Sequence, residues 1–360
     1  MVFIAGITLA LFIELLLIFK KNKSGSDKIL AVWMVLIITQ FFLKYLIFSG
    51  AIYNYPFLWG VELPIPLIQS VMLYLYIASV TNQLPYKKIW IYLNFLPAFA
   101  MYLYLIKFLF LPVEQKAYVY NNLGAGYKVF TYIRLFAIFL SGIIYIAWSL
   151  LLLRKHRHNI LNKFSYQDKI NLQWLRLLIF GIVGIWFLIF LFFLNDIIIF
   201  IGVVAFVFMI GFFGIRQSRI FSVEKELPGS NDKKVKYYKS GLTEELSGKL
   251  YRELLCLMNE EKLFRKNNLC ADDLASRLNI HPNYLSQIIN EKEGKNFYDF
   301  VNHFRVEDFK RLISDPKNKN LTLLYVALDC GFNSKSSFNR NFKKHTGVTP
   351  SVYFASFKKE

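Results

Sequence analysis

Lys335, Ser336, Asn339, Arg340 and Lys343 lie within one short stretch and are interleaved with Phe338 and Phe342. On a helix, residues three and four apart share a face. The two rings then turn inward and the polar groups form the opposite side. An arginine fork can bridge O6 and N7 of guanine, and an asparagine amide can bridge N6 and N7 of adenine. The chemistry on offer is therefore hydrogen bonding to base edges. Ser334, Lys343 and Lys344 suit phosphate oxygens, contacts that position a protein on a duplex without reading its sequence. From Cys330 to Lys359 there are six Lys and Arg and no Asp or Glu, a balance that suits double-stranded DNA.

That face needs a short helix entered through a tight turn, and residues 322–345 supply one. Thr322 caps a first helix, Ala327 is small where a second helix must cross, and Gly331 takes the left-handed position at the helix end. Ser334 caps the second helix. Residues 271–290 repeat the plan. Leu274 and Leu278 face inward, and Ala275 matches Ala327. Asn279-Ile280-His281 makes the turn, and Pro282 opens the next helix, where its missing N–H costs nothing. Leu285 and Ile288 or Ile289 anchor it. Between the units, residues 296–313 read as one helix with Phe297, Phe300, Val301, Phe304 and Leu312 on its apolar side. Eighteen residues span ~27 Å, which suits a strut between recognition helices one DNA turn, ~34 Å, apart. Upstream, Leu246, Leu250, Leu254, Leu255, Leu257 and Met258 predict a further amphipathic helix.

Residues 269–354 resemble the DNA-binding domain of the AraC/XylS family of bacterial regulators. The resemblance rests on Leu274-Ala275, Leu285-Ser286, Gly294-Lys295-Asn296-Phe297, Arg305, and above all Gly331-Phe332-Asn333-Ser334 with Ser336, Phe338, Arg340, Phe342 and Lys343, running into Gly347, Thr349 and Pro350. It implies seven helices with two helix-turn-helix units in adjacent major grooves. By position it makes Asn283, Ser286 and Gln287 base-facing in the first recognition helix, and Lys335, Ser336, Asn339 and Arg340 in the second. Cys270 and His281 depart from the family, standing where a Ser or Thr cap is usual.

The rest of the chain is of another kind. The 360 residues are 55% hydrophobic and 18% aromatic, too apolar for one soluble domain. The net charge of +19 is shared between the halves: 17 Lys and Arg against 6 Asp and Glu in residues 1–215, and 26 against 18 in residues 216–360. Apolar runs at 2–19, 29–48, 65–80, 89–110, 129–153, 174–194 and 197–215 predict seven membrane spans. The run at 65–80 is short and holds Gln69. Lys20, Lys21, Lys23, Lys28, Lys87, Lys88, Arg154, Lys155, Arg157, Lys163 and Lys169 fall in one set of loops, against Lys116 and Lys128 in the other. That asymmetry places the N-terminus outside and residue 216 onward in the cytoplasm of a bacterial inner membrane. The first run lacks a basic leader and a small-residue cleavage site, so it is expected to stay.

Glu14, Lys44, Lys107 and Arg134 interrupt the runs. Lys44 and Lys107 lie near span ends, where long side chains snorkel. Glu14 and Arg134 are candidates for an intramembrane signal contact or a structural ion pair. Tyr53, Tyr55, Trp59, Tyr118, Tyr120 and Tyr127 read as an interfacial aromatic belt. Residues 216–240, with Pro228-Gly229-Ser230-Asn231-Asp232, read as a linker.

The expected fold is all-α: a seven-helix transmembrane sensor over 1–215, the linker, and a helical DNA-binding domain over 241–360. The membrane half resembles, more loosely, multi-span sensors fused to such domains in some bacteria. The expected function is that of a membrane-bound regulator answering an unknown ligand or partner membrane protein, as a possible homodimer. Two alternatives remain: a transporter or membrane enzyme with an appended regulatory domain, and a membrane anchor whose helical domain binds protein. No H-E-x-x-H, G-x-S-x-G or Walker A pattern supports an enzyme. Cys256, Cys270 and Cys330, widely spaced, suggest neither a disulfide framework nor a metal site, and no cofactor is expected.

Overall fold

Apolar stretches free of internal proline fold here as long helices. The computed structural model describes residues 1–122, 124–166, 172–192, 195–217, 243–318 and 320–357. The linker, apart from Arg216 and Gln217, lies outside the described residues. Among those described the chain is all-helical, with no strand and one isolated bridge. It divides into two units, one of Met1–Arg154 with Leu172–Arg219, the other of Lys155–Asn171 with Ile220–Glu360.

In the first unit, α1 (Val2–Phe19) is followed by α2 (Gly25–Ser49). Ser24 starts α2 with a reciprocal cap: its hydroxyl accepts from the Asp27 N–H at 3.2 Å, and Asp27 accepts the Ser24 N–H at 2.7 Å. The short helix α3 (Ile65–Val80) matches its predicted bounds. The fourth predicted span does not form as one helix. Residues 89–110 break into α4 (Ile89–Leu93), α5 (Leu96–Tyr104) and α6 (Ile106–Leu109). Pro97 has no N–H to give the Leu93 carbonyl, and its ring crowds that carbonyl. At the same break the Asn94 amide donates to the carbonyls of Trp90 at 2.6 Å and Ile91 at 3.2 Å, at the end of α4.

After α7 (Val113–Asn121) comes α8 (Lys128–Lys163), 36 residues long. It runs ten residues past the predicted span, through what the charge pattern read as loop; nothing from Arg154 to Lys163 is Gly or Pro. Then come α9 (Gln173–Phe192) and α10 (Asp196–Gln217). Five helices, α1, α2, α8, α9 and α10, are long and apolar enough to cross a membrane. Their outer faces leave Phe12, Phe19, Ile143, Phe187 and Phe190 exposed, as expected of surfaces meeting lipid or another protein.

Two polar and aromatic expectations change, and a third residue gains a partner: Lys44, near its span end, pairs through Nζ with Asp196 at 2.8 Å. Lys116, counted as a loop charge, is buried and donates to the carbonyls of Pro56 at 2.8 Å and Leu109 at 2.7 Å. Trp59 and Tyr120 are core residues rather than belt residues, packed edge to face at 4.8 Å. The 3-10 turns at Ala51–Asn54 and Pro56–Leu58 fold this segment inward. Tyr53, Tyr55 and Tyr118 stay exposed.

The second unit holds α11 (Glu244–Asn259), α12 (Ala271–Arg277), α13 (Pro282–Glu293), α14 (Phe297–Ser314), α15 (Leu323–Asp329), α16 (Lys335–Thr346) and α17 (Pro350–Phe357). Its core has two parts. Leu250, Leu254, Met258, Leu274, Leu285 and Phe300 build the first; Val306, Phe309, Phe332, Phe338 and Phe342 build the second. The strut α14 contributes to both. Leu246, expected inside, is exposed.

Candidate nucleic-acid interface

Each recognition helix is set by a capped turn. In the first pair, Cys270 precedes α12 and its N–H donates to Asp273 at 3.1 Å. Asn279 takes a left-handed φ of 54° in the turn. His281 caps α13 with its ring: Nδ1 accepts the Asn283 N–H at 3.2 Å. The unusual residue thus does the work of the Ser or Thr expected there. In the second pair, Thr322 accepts the Tyr325 N–H at 3.2 Å and Ser334 accepts the Ser337 N–H at 3.1 Å. Gly331 turns between them at φ 93°, where an added Cβ would lie 2.7 Å from the carbonyl oxygens of Phe264 and Arg265. Only glycine fits both the dihedral and the space.

On α16, Ser337, Phe338, Asn341 and Phe342 are buried, while Lys335, Ser336, Asn339, Arg340, Lys343 and Lys344 are exposed together. The expected face therefore forms. Ser334 and Ser336 join hydroxyls at 3.0 Å at its start. Arg340 is steadied from behind, its Nη2 donating to the Tyr298 hydroxyl at 3.1 Å. Asn341 donates to the same oxygen at 2.7 Å, fixing α16 on the strut. Sequence reasoning missed this tie; an Asn beside Arg340 gave no sign that it faced inward except its place in the Phe338–Phe342 stripe.

The face of α13 is less open. Asn283 is exposed, but Gln287 donates to Glu291 at 2.7 Å, and Ser286 donates to the carbonyl oxygen of Asn162 at 3.3 Å. Asn162 belongs to the stretch at the end of α8 that forms part of this unit. Ser165 follows it. Its N–H and hydroxyl both donate to the Leu269 carbonyl, at 3.2 and 2.7 Å, beside the bridge from Phe164 to Cys270.

Ser165 is held by Arg305, which is 1% exposed. Its Nε donates to the Phe264 carbonyl at 2.7 Å, Nη1 to the Ser165 carbonyl at 3.1 Å, and Nη2 to the Ser165 hydroxyl at 3.1 Å and the Lys266 carbonyl at 2.8 Å. Asn302 donates to the same Ser165 carbonyl at 3.0 Å. Burial lowers the Arg305 guanidinium to about 10, so it stays charged at neutral pH. Arg305 entered the sequence reading as a motif residue only; its role as an internal clamp depends on partners far away in the chain.

Residues 274–356 match the family model for a helix-turn-helix domain. This part of the chain is thus similar to helix-turn-helix domains of the AraC type. Similar proteins include the uncharacterized HTH-type transcriptional regulators YijO of Escherichia coli (strain K12), 35% identical over 85 residues, and YobQ of Bacillus subtilis (strain 168), 36% identical over 85. Each match covers 24% of this chain and 29% or 34% of the relative, so the chain spans about a third of their length. The probable transcription factor PqrA of Proteus vulgaris is 27% identical over 94 residues, which cover 75% of PqrA and 26% of this chain.

In this helix-turn-helix domain Lys344 pairs with Asp299 at 2.6 Å across to the strut, with its side chain 56% exposed. An exposed pair of this kind is worth about 0–1 kcal/mol, little enough for a phosphate to displace it. Lys344→Ala should therefore weaken binding to all DNA sequences alike and make the slope of log affinity against log salt shallower by about one unit. A changed base preference instead would contradict a phosphate role.

Proposed function

We propose that the protein is a membrane-bound, one-component transcriptional regulator, in which a signal sensed by the apolar half controls sequence-specific DNA binding. The observation that carries the DNA half is the face of α16. Lys335, Ser336, Asn339 and Arg340 stand exposed on a helix pinned by Phe338 and Phe342, the arrangement that major-groove entry requires. In the two units, Asn283, Ser286 and Gln287 with those four are the base contacts. Ser334, Lys343 and Lys344 are the phosphate contacts.

Control is supported by residues 162–165. This stretch lies in sequence between apolar helices, yet Ser165 is clamped by Arg305 and Asn162 occupies the hydroxyl of Ser286. With Ser286 engaged in this way, the first unit is held from DNA. A signal that withdraws the stretch frees it, and coupling needs only that the signal favour one of two states.

The test is selection of bound sequences from random DNA by the full chain in lipid nanodiscs, with affinity followed against salt. Enrichment of the short motif read by α16 is the expected result, joined by a second motif about one helical turn, ~34 Å, away once the stretch is withdrawn. Binding without preference by the folded protein would overturn the proposal and leave a membrane anchor that binds protein.

A further inference from the structure

The first unit forms a half-open pocket of about 860 Å³, walled by residues of α2, α8, α9 and α10 and of the segments around Glu62 and Tyr120. Small-molecule sites occupy roughly 300–1,000 Å³. Phe108, Phe130, Trp186, Phe200 and Phe206 make much of the wall apolar. Several polar groups on it satisfy one another. Lys44 pairs with Asp196 at 2.8 Å. The Trp33 indole donates to Gln69 at 2.7 Å, and Gln69 donates to Gln40 at 2.9 Å.

Two charged groups on the same wall are left incomplete. Glu62 is 2% exposed; one carboxylate oxygen accepts the Tyr120 hydroxyl at 2.5 Å, and the other is buried with no partner. Arg134 has its Nε buried without a partner, and among the described residues no ion pair or hydrogen bond reaches its side chain. The two share this wall yet, among the described residues, form no ion pair with each other. Leaving buried atoms of opposite charges unsatisfied on a largely apolar wall is costly unless something completes them. Glu14 plays no part, since it lies off the cavity wall.

We propose that this cavity is a binding site for an amphipathic zwitterion, a molecule with a carboxylate for Arg134, an ammonium for Glu62 and an apolar body along the aromatic wall. An anion alone would leave the Glu62 oxygen unmet and repelled. A cation alone would do the same to Arg134. Both ends of a zwitterion meet the opposite charge, and the volume left over takes a body of lipid-chain or aromatic size. Binding here stands on the cavity itself; its effect on DNA rests on the regulator function proposed above.

The experiment uses the full chain in nanodiscs and titrates three probes that share one tail: α-aminodecanoic acid, decanoic acid and decylamine. The zwitterion should bind saturably and most tightly. Glu62→Gln and Arg134→Leu should each weaken it by about 10–100-fold, the worth of a hydrogen bond to a charged group. Arg134→Lys, which keeps the charge, should recover part of the loss, and Phe187→Leu on the exposed outer face should change nothing. No saturable binding to folded protein would overturn the site. Equal binding of decanoic acid without dependence on Glu62 would overturn the zwitterion in favour of a simple anionic lipid. DNA affinity measured with and without the probe separates the two proposals. A bound probe that shifts DNA affinity supports both. A bound probe that leaves it unchanged keeps the site and removes the control. Sequence-selective DNA binding with no probe bound removes the site alone.

Discussion

Arg305→Met is expected to destabilise the DNA-binding unit by about 1–3 kcal/mol, the usual cost of leaving a buried acceptor without its donor. The guanidinium is nearly sealed from solvent and donates to three backbone carbonyls, those of Phe264, Lys266 and Ser165. Methionine fills similar space but leaves the Phe264 carbonyl unmet where water cannot reach it, at about 1–3 kcal/mol, while the Ser165 carbonyl keeps Asn302 and the Lys266 carbonyl keeps the Leu269 N–H. Arg305→Lys keeps the charge but cannot copy a planar fork that serves several acceptors at once, so it should recover only part of the loss. Hydrogen exchange of the α12–α14 amides in the full chain reads the effect. Unchanged protection in Arg305→Met would show that the clamp carries no stability. The Ser165 amide should lose protection along with them, since its segment is held by the same side chain.

Arg340→Ala is expected to cost about 1–3 kcal/mol of specific DNA binding and to relax preference at one base position. The side chain stands on the exposed face of α16 and leans on the Tyr298 hydroxyl, so its fork is directed before DNA arrives. Affinity for selected and scrambled sequences should converge in the variant. A mutant with unaltered preference and affinity would remove Arg340 from the base contacts. The contrast with Lys344→Ala is the useful one: loss of discrimination in the first case, uniform weakening in the second.

Local rules were legible in the sequence wherever one residue and its near neighbours decide the outcome. Thr322 and Ser334 cap helices because each needs only a backbone N–H three residues on. Phe338 and Phe342 face inward because helical spacing leaves them no other common side. Even His281, a departure from its family, caps by the same local geometry. What escaped depends on distance along the chain. Arg305 meets Ser165 from 140 residues away, and Lys116 finds the Pro56 carbonyl from 60. A composition count scored Lys116 as a loop charge because charge is visible in sequence and burial is not. The break near Asn94 lay between: Pro97 was visible, but an apolar run of full length outweighed it. In the apolar half, Arg134 was picked out by rarity, whereas Glu62, outside every predicted span, gave no such signal. Only the cavity brings these two together.

The DNA-binding unit is discontinuous. Residues 155–171 enter it first, α9 and α10 then depart from it, and the chain returns only with its last third. A ribosome therefore makes one piece of the unit well before the other, and the earlier piece must wait, with Ser165 unclamped, until Arg305 is made. The same topology bears on proteolysis. A cut between Gln217 and Thr243 would sever the covalent tether without removing the hydrogen bonds that hold Ser165. The released fragment would remain a complex of two chains, and freeing it would require dissociation as well as cleavage.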